Sequence, residues 1–183
     1  MRIALYGGSF NPPHLGHELA ALYVLETSAV DELWLMPTFQ HPFDKALESF
    51  EDRLAMCRLA AAALGPRARV TDIERELGDE SRTLRTVRKL QQDFPENAFC
   101  LVIGADLVAE LPTWQESAEL RRSVPFIVVG RAGFEKDDGR LALPRVSSSE
   151  VRAALAAGRP VDGLVSRAVV DYISRHGLYQ KDA

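Results

Sequence analysis

Two histidines, His14 and His17, stand three residues apart in the stretch RIALYGGSFNPPHLGH, residues 2–17. At that spacing both imidazoles can face the same side of a helix entrance. Gly7 and Gly8 before them let the backbone turn sharply and let a ligand approach it. Pro12 and Pro13 fix the intervening loop. A helix N-terminus offers main-chain N–H groups and a partial positive charge, so the chemistry this pattern suits is phosphate binding. A histidine pair at this spacing is also half of a metal site, but no cysteine or carboxylate cluster supplies further ligands at an obvious spacing. The stretch is neither of the common phosphate loops: it lacks G-x-G-x-x-G and the lysine of G-x-x-x-x-G-K-[ST].

Two further stretches carry cationic or hydroxyl groups. Lys45 lies in the polar loop TFQHPFDKALES, residues 38–49, after a predicted strand. The other is VSSSEVR, residues 146–152. Ser147 and Glu150 satisfy a capping box there. One cap does not need three serines, however. Ser147, Ser148, Ser149 and the Arg152 guanidinium at one helix start also make a phosphate cradle. The residues alone leave a plain cap and a cradle both open.

The elements that must position these groups follow from periodicity. Ile3, Ala4, Leu5 and Tyr6 read as a buried strand, and Leu15, Leu19, Leu22 and then Leu25 or Glu26 as a helix stripe. Residues 32–36, 69–73, 98–103 and 125–129 read as further strands, and residues 74–81 as a charged loop. Helices are predicted from Phe50 to Leu64 with a Ser49/Asp52 cap, and over 83–92, 116–122, 147–157 and 166–176. Strands alternate with helices throughout. The expected fold is therefore α/β: a Rossmann-like, doubly wound parallel sheet with helices on both faces, in a single domain over residues 1–183. Ligands of such sheets sit outside the carboxyl ends of the strands. Gly7 and Gly8, the Lys45 loop, Gly104-Ala105-Asp106 and Arg131 all fall there.

Composition narrows the classes. The chain has 183 residues, 46% hydrophobic and 26% charged, with a formal net charge of −4. An anionic ligand thus needs a locally basic pocket, and a general nucleic-acid surface is not expected. The longest apolar runs, 98–103 and 124–129, fall far short of the ~20 residues of a membrane span. The opening residues lack a secretory-leader layout, and Cys57 and Cys100 lie in apolar surroundings, so a reducing cytoplasm is expected. The helical run Arg82, Arg85, Arg88 and Lys89 reads as a solvated face.

Gly8, Phe10, Pro12, His14, Gly16 and His17 match position by position the nucleotidyltransferase signature G-x-F-x-P-x-H-x-G-H, which the chain resembles. The order of this signature, the Lys45 loop, GADLVAELPTW (residues 104–114) and VSSSEVR is similar to that in bacterial nicotinate-nucleotide adenylyltransferases. The tail VVDYISRHGLY is similar to that family's C-terminal helix, so the resemblance covers most of the chain. The chain departs from the family at His41-Pro42-Phe43-Asp44-Lys45, where Pro-Pro-His-Lys is usual. It departs again at Ser81-Arg82-Thr83, where Ser-Tyr-Thr is frequent, and at Ser149, which replaces a Thr.

The resemblance implies transfer of the adenylyl group of ATP to nicotinate mononucleotide, with Mg²⁺ bridging phosphate oxygens. It makes His14, His17, Lys45 and Arg152 catalytic. It assigns ATP to Gly7, Gly8, Ser9, Phe10, Gly16, Gly104, Asp106, Ser147, Ser148 and Ser149, with Asp106 on a ribose or near the metal. The mononucleotide falls to Arg82, Thr83, Leu107, Trp114 and Arg131, with Trp114 stacked on the pyridine ring; a core position for that Trp is the alternative. No protein-held metal site, nucleic-acid partner or membrane contact is expected, and a homo-oligomer is compatible with the chain. The rival readings are a phosphopantetheine adenylyltransferase, a nicotinamide-dependent oxidoreductase and a nucleotide sensor. The first should lack the Trp114 segment and YISRHGLY, the second should carry G-x-G-x-x-G, and the third is disfavoured by the intact basic residues.

Overall fold

The structure is a computed structural model and describes residues 1–40, 47–78, 82–130, 143–144 and 146–180. The chain runs β1 (Arg2–Gly8), α1 (Leu15–Thr27), β2 (Glu32–Pro37), α2 (Phe50–Ala63), β3 (Ala68–Val70), α3 (Ile73–Leu77) and α4 (Thr83–Asp93). It continues through β4 (Ala98–Gly104), short 3₁₀ turns at Ala105–Leu107 and Leu111–Thr113, α5 (Ser117–Ser123), β5 (Phe126–Val129), α6 (Ser148–Ala156) and α7 (Arg167–His176). All five strands join one parallel sheet in the order β3-β2-β1-β4-β5. The chain winds outward from β1 to β3, then returns to place β4 on the other side of β1. The switch point therefore lies between β1 and β4, where such sheets bind ligands.

Alternation in β1 shows how the layers form. Ala4 faces one cluster with Ala20, Ala21, Val24 and Leu25 of α1 and Cys57 and Ala61 of α2. Ile3 and Leu5 face another with Leu84, Val87 and Leu90 of α4, Ile73 of α3 and Leu120 of α5. A third cluster joins the back of α2, at Met56 and Ala60, to Val151 and Ala154 of α6 and Val169 and Ile173 of α7. The sheet is covered on both faces, and α6 and α7 form an outer layer that leans on α2.

Three predicted features are corrected. Leu19 and Leu22 do not face the core but are 38% and 42% exposed. The sheet face of α1 is instead Gly16, Ala20, Ala21, Val24 and Leu25. This helix is apolar on most sides, so its spacing carried little information about phase. The third strand is shorter than residues 69–73, and Ile73–Leu77 of the expected strand and charged loop is helical. Finally, β1 runs on through both glycines, pairing Gly7 with Met36 and Gly8 with Pro37, so the turn comes later.

Other expectations hold. Ser49 caps α2, its Oγ accepting from Asp52 N at 3.1 Å. Cys57 and Cys100 are buried free thiols, and burial pushes both thiols up in pKa. Arg88 pairs with Glu119, and Lys89 donates to Asp93 at 2.6 Å, as suits a solvated face. Among the described residues, no helix is long and apolar enough to cross a membrane.

Candidate active site

The turn after β1 falls at Phe10, whose φ of 45° lies in the left-handed region, followed by a cis Asn11–Pro12 bond. Gly7 and Gly8 serve close approach rather than turning. A Cβ on Gly7 would stand 3.3 Å from the Met36 methyl group, and one on Gly8 3.3 Å from the Phe10 ring. Phe10 thereby folds back over the strand end and is buried.

His14 is the N-cap of α1 and is only 1% exposed. Its main-chain N–H donates to His17 Nδ1 at 3.2 Å. The two rings stack at 3.7 Å between centroids. Phe10 lies edge-on to His17 at 4.9 Å and Tyr6 at 6.1 Å. Because Nδ1 accepts an N–H, the neutral His17 ring carries its proton on Nε2 and presents a donor there. Gly16 sits beneath this pair: a Cβ on it would lie 3.0 Å from His14 Nδ1. The α1 terminus is less open to anions than the sequence suggests, since Leu15 N–H donates to Leu164 O at 2.9 Å.

The opposite wall is the start of α6. Ser147 and Glu150 close a capping box: Ser147 N donates to Glu150 Oε2 at 3.0 Å, and Glu150 N to Ser147 Oγ at 3.2 Å. Ser148 Oγ donates to Pro12 O at 2.9 Å. Arg152 Nη1 donates to Asn11 O at 2.7 Å, and Nη2 to Ser149 Oγ at 3.2 Å. The cap is present, and Ser148 and Arg152 beside it also hold the β1–α1 loop.

A cavity of about 240 Å³ opens between these walls. Ser9, Phe10, Asn11, His14, His17, Ser147, Ser148, Ser149 and Arg152 line it. Eight of these nine were singled out from sequence; Asn11 was not. Gly8 and Gly16 lie against the lining rings of Phe10 and His14, whereas Gly7 lies against Met36, which is not among the lining residues. Gly104 ends β4, with Asp106 folded back so that a Cβ on Gly104 would meet its Oδ1 at 2.2 Å. Asp106, Leu107, Trp114, Arg82 and Thr83 do not line this cavity. Trp114 is half-buried and packs against the cluster of Ile3, Leu5 and Trp34. Arg82 is exposed as the N-cap of α4, which Thr83 begins. Lys45 and Arg131 lie outside the described residues.

Sequence reasoning missed three supporting residues. Arg53, 1% exposed, donates to Ser9 O at 2.9 Å, Thr38 O at 2.7 Å, Phe39 O at 3.4 Å and Glu48 O at 3.0 Å. One guanidinium thus ties the ends of β1 and β2 to the start of α2. Glu74 Oε2 accepts Phe39 N–H at 3.1 Å, and Oε1 accepts the Thr86 hydroxyl at 3.4 Å, joining the β2 end to α4. Glu18 is buried in the first turn of α1. Burial raises its carboxyl above the usual carboxylate range, while the nearby Ser166 hydroxyl pulls the other way. The only local signal for these was a charged residue at a core-facing helical position, as with Arg53 one residue before Leu54.

The family model described as cytidylyltransferase-like matches residues 5–154. A protein of Anaeromyxobacter sp. (strain K) named "Probable nicotinate-nucleotide adenylyltransferase" is 46% identical over 181 residues, 97% of this chain and 96% of its own length. The chain belongs to the nicotinate-nucleotide adenylyltransferase family. A Myxococcus xanthus (strain DK1622) relative of the same name is 39% identical over 180 residues, 98% of this chain and 95% of its own. The fold is also that of a Plasmodium falciparum nicotinic acid mononucleotide adenylyltransferase solved in complex with NaAD. That match has a TM-score of 0.83 at 22% identity and covers 97% of each chain. For an adenylyltransferase the lining is apt: among the described residues it holds imidazoles, hydroxyls and a guanidinium, and no Asp or Glu.

Proposed function

We propose that the protein transfers the adenylyl group of ATP to nicotinate mononucleotide, forming nicotinate adenine dinucleotide and pyrophosphate, in the biosynthesis of NAD. The observation that carries this reading is the meeting of His14, His17, the three serines and Arg152 at one cavity beside the β1–β4 switch point. The mononucleotide phosphate attacks the α-phosphorus of ATP in line, and pyrophosphate leaves. The nucleophile is already an anion at neutral pH, so no general base is needed, and the protein's work is positioning and charge stabilisation.

His14 and His17 are assigned to the α- and β-phosphates. Ser147, Ser148, Ser149 and Arg152 are assigned to the departing β,γ-phosphates, and Lys45 to the side facing them. Ser9 and Phe10, with Gly7, Gly8 and Gly16, are assigned to the nucleotide wall, and Gly104 and Asp106 to the ribose. Mg²⁺ would enter with ATP and would supply charge neutralisation on the phosphates; the described lining residues include no carboxylate to hold it. The pyridine ring is assigned to Trp114 and Leu107, Arg131 is assigned to the mononucleotide, and the carboxylate goes to main-chain N–H groups at the start of α4, beside Arg82 and Thr83. The two buried free thiols support a reducing cytoplasm as the place of action.

Substrate choice follows from the donors. N–H groups bind a carboxylate more strongly than an amide, whose own NH₂ would oppose them at a cost of ~1–3 kcal/mol for each donor left without a partner. The test is pyrophosphate release with Mg·ATP and nicotinate mononucleotide, nicotinamide mononucleotide or phosphopantetheine, in the wild type and in Arg82→Tyr. A clear preference in kcat/KM for the nicotinate form is expected. A ratio near one, or one favouring the amide, overturns the nicotinate assignment and leaves adenylyl transfer standing.

A further inference from the structure

The chain's last described turn reaches into the cavity wall. Helix α7 ends at Gly177, with φ of 63°, and Leu178 N–H donates to Ile173 O at 3.1 Å. Tyr179 then adopts φ of 60°, one of three non-glycine residues with positive φ among those described. A side-chain-bearing residue in that region is strained, and such strain persists where surrounding contacts hold it. The contact here is with Asn11. Tyr179 OH lies 2.8 Å from Asn11 Oδ1, across 168 residues of sequence.

Asn11 is 2% exposed and forms a junction. Its Oδ1 also accepts Glu48 N–H at 3.2 Å, and its main-chain O accepts Arg152 Nη1 at 2.7 Å. A main-chain N–H can only donate, so the amide atom facing Glu48 is the oxygen, and the Tyr179 hydroxyl must donate to it. Burial, with Glu48 nearby, pushes the Tyr179 hydroxyl well above its ordinary pKa, so it keeps its proton at any working pH. The Asn11 side chain is thus fixed by two donors from distant parts of the chain, and its carbonyl on the other side orients the guanidinium.

We infer that Tyr179 is a positioning residue: through Asn11 it sets the Arg152 guanidinium for the phosphates of ATP. The inference rests on reading this cavity as the ATP site. It makes the C-terminal turn part of the nucleotide pocket, with no contact of its own to the substrate.

The test compares Tyr179→Phe, Tyr179→Leu, Asn11→Ala and the double variant Asn11→Ala/Tyr179→Phe, each checked for thermal unfolding. Tyr179→Phe keeps the ring and removes one hydrogen bond, so it should fold. Its KM for ATP should rise about three- to tenfold, the range of one net hydrogen bond. The KM for the mononucleotide should change less than about twofold. The double variant should be no worse than Asn11→Ala, since both changes remove the same link. If Tyr179→Phe matches the wild type while Tyr179→Leu does not, the residue only packs and the inference fails. Equal rises in both KM values, or additive effects in the double variant, overturn it as well. Calorimetric titration with Mg·ATP alone repeats the comparison without acceptor. A wild type that binds ATP but does not use nicotinate mononucleotide therefore overturns the substrate reading and still tests the role of Tyr179. A wild type that does not bind ATP overturns both.

Discussion

His17 turns its ring back onto the residue that opens its own helix, accepting the His14 N–H at 3.2 Å while the two imidazoles stack at 3.7 Å. The ring thus caps α1 with one nitrogen and presents a proton donor with the other. The two tasks separate by substitution. His17→Ala should lower turnover by about two orders of magnitude, as expected for loss of one charge-stabilising donor. It should also cost ~1 kcal/mol of stability through the lost cap. His17→Gln can restore the reciprocal cap bond, so its unfolding temperature should return toward the wild type while its turnover stays low. Turnover close to wild type in His17→Ala would remove the phosphate role from the whole first loop.

Gly16→Ala probes the same pair from beneath. Alanine is a better helix former than glycine by ~1 kcal/mol, so the fold should tolerate the change. The added Cβ would meet His14 Nδ1 at 3.0 Å, and the His14 ring, buried and stacked on His17, has little room to yield. A small displacement of a catalytic group costs as much as ~100-fold in rate. Activity should fall at least about tenfold with the unfolding temperature unchanged or raised. Full activity would mean that His14 has freedom its packing does not suggest.

Arg53 carries no assigned role toward substrate, yet it closes the floor under the site. Its fork reaches four carbonyl groups on three segments, a geometry that a lysine ammonium does not reproduce. Arg53→Lys should destabilise the protein by ~2–4 kcal/mol, because buried carbonyls and a buried charge lose their match. Urea denaturation checks this; a loss below ~1 kcal/mol would show that the carbonyls find other partners.

Glu18 gives a pH dependence with a definite sign. Burial raises its folded-state pKa, so the protonated form favours folding. Its contribution is fully present below the unfolded value of ~4.3 and is lost as pH rises through the raised folded value. Glu18→Gln, which cannot ionise, should therefore gain unfolding temperature relative to the wild type as pH is raised from about 4 to 8. A constant difference across that range would show that the carboxylate is solvated in the fold.

Local chemistry made much of this protein legible from its residues. The strand–loop–helix at residues 2–17, the Ser49/Asp52 cap and the Ser147/Glu150 box depend on neighbours three or four positions apart, so composition and spacing predict them. The two-faced burial of β1 was equally plain, because its side chains are apolar on both sides. The residues that line the cavity could be named for the same reason: imidazole, hydroxyl and guanidinium groups stand at two helix starts.

Tertiary structure alone decided what else those groups hold in place. Arg152 and Asn11 are separated by 141 positions and Tyr179 and Asn11 by 168, and no periodicity connects them. Arg53 reads as an ordinary charge on a helix and Glu74 as part of a charged loop. They are buried because four loop carbonyls, a main-chain N–H and a threonine hydroxyl from other elements converge on them. The phase of α1 was likewise beyond reach: with leucine and alanine on most of its sides, only the sheet's close approach selects Ala20, Ala21 and Val24 and leaves Leu19 and Leu22 outside. Local hydrogen bonding sets elements and caps, whereas the burial of a charge or the choice of a helix face depends on partners that exist only once the chain has closed.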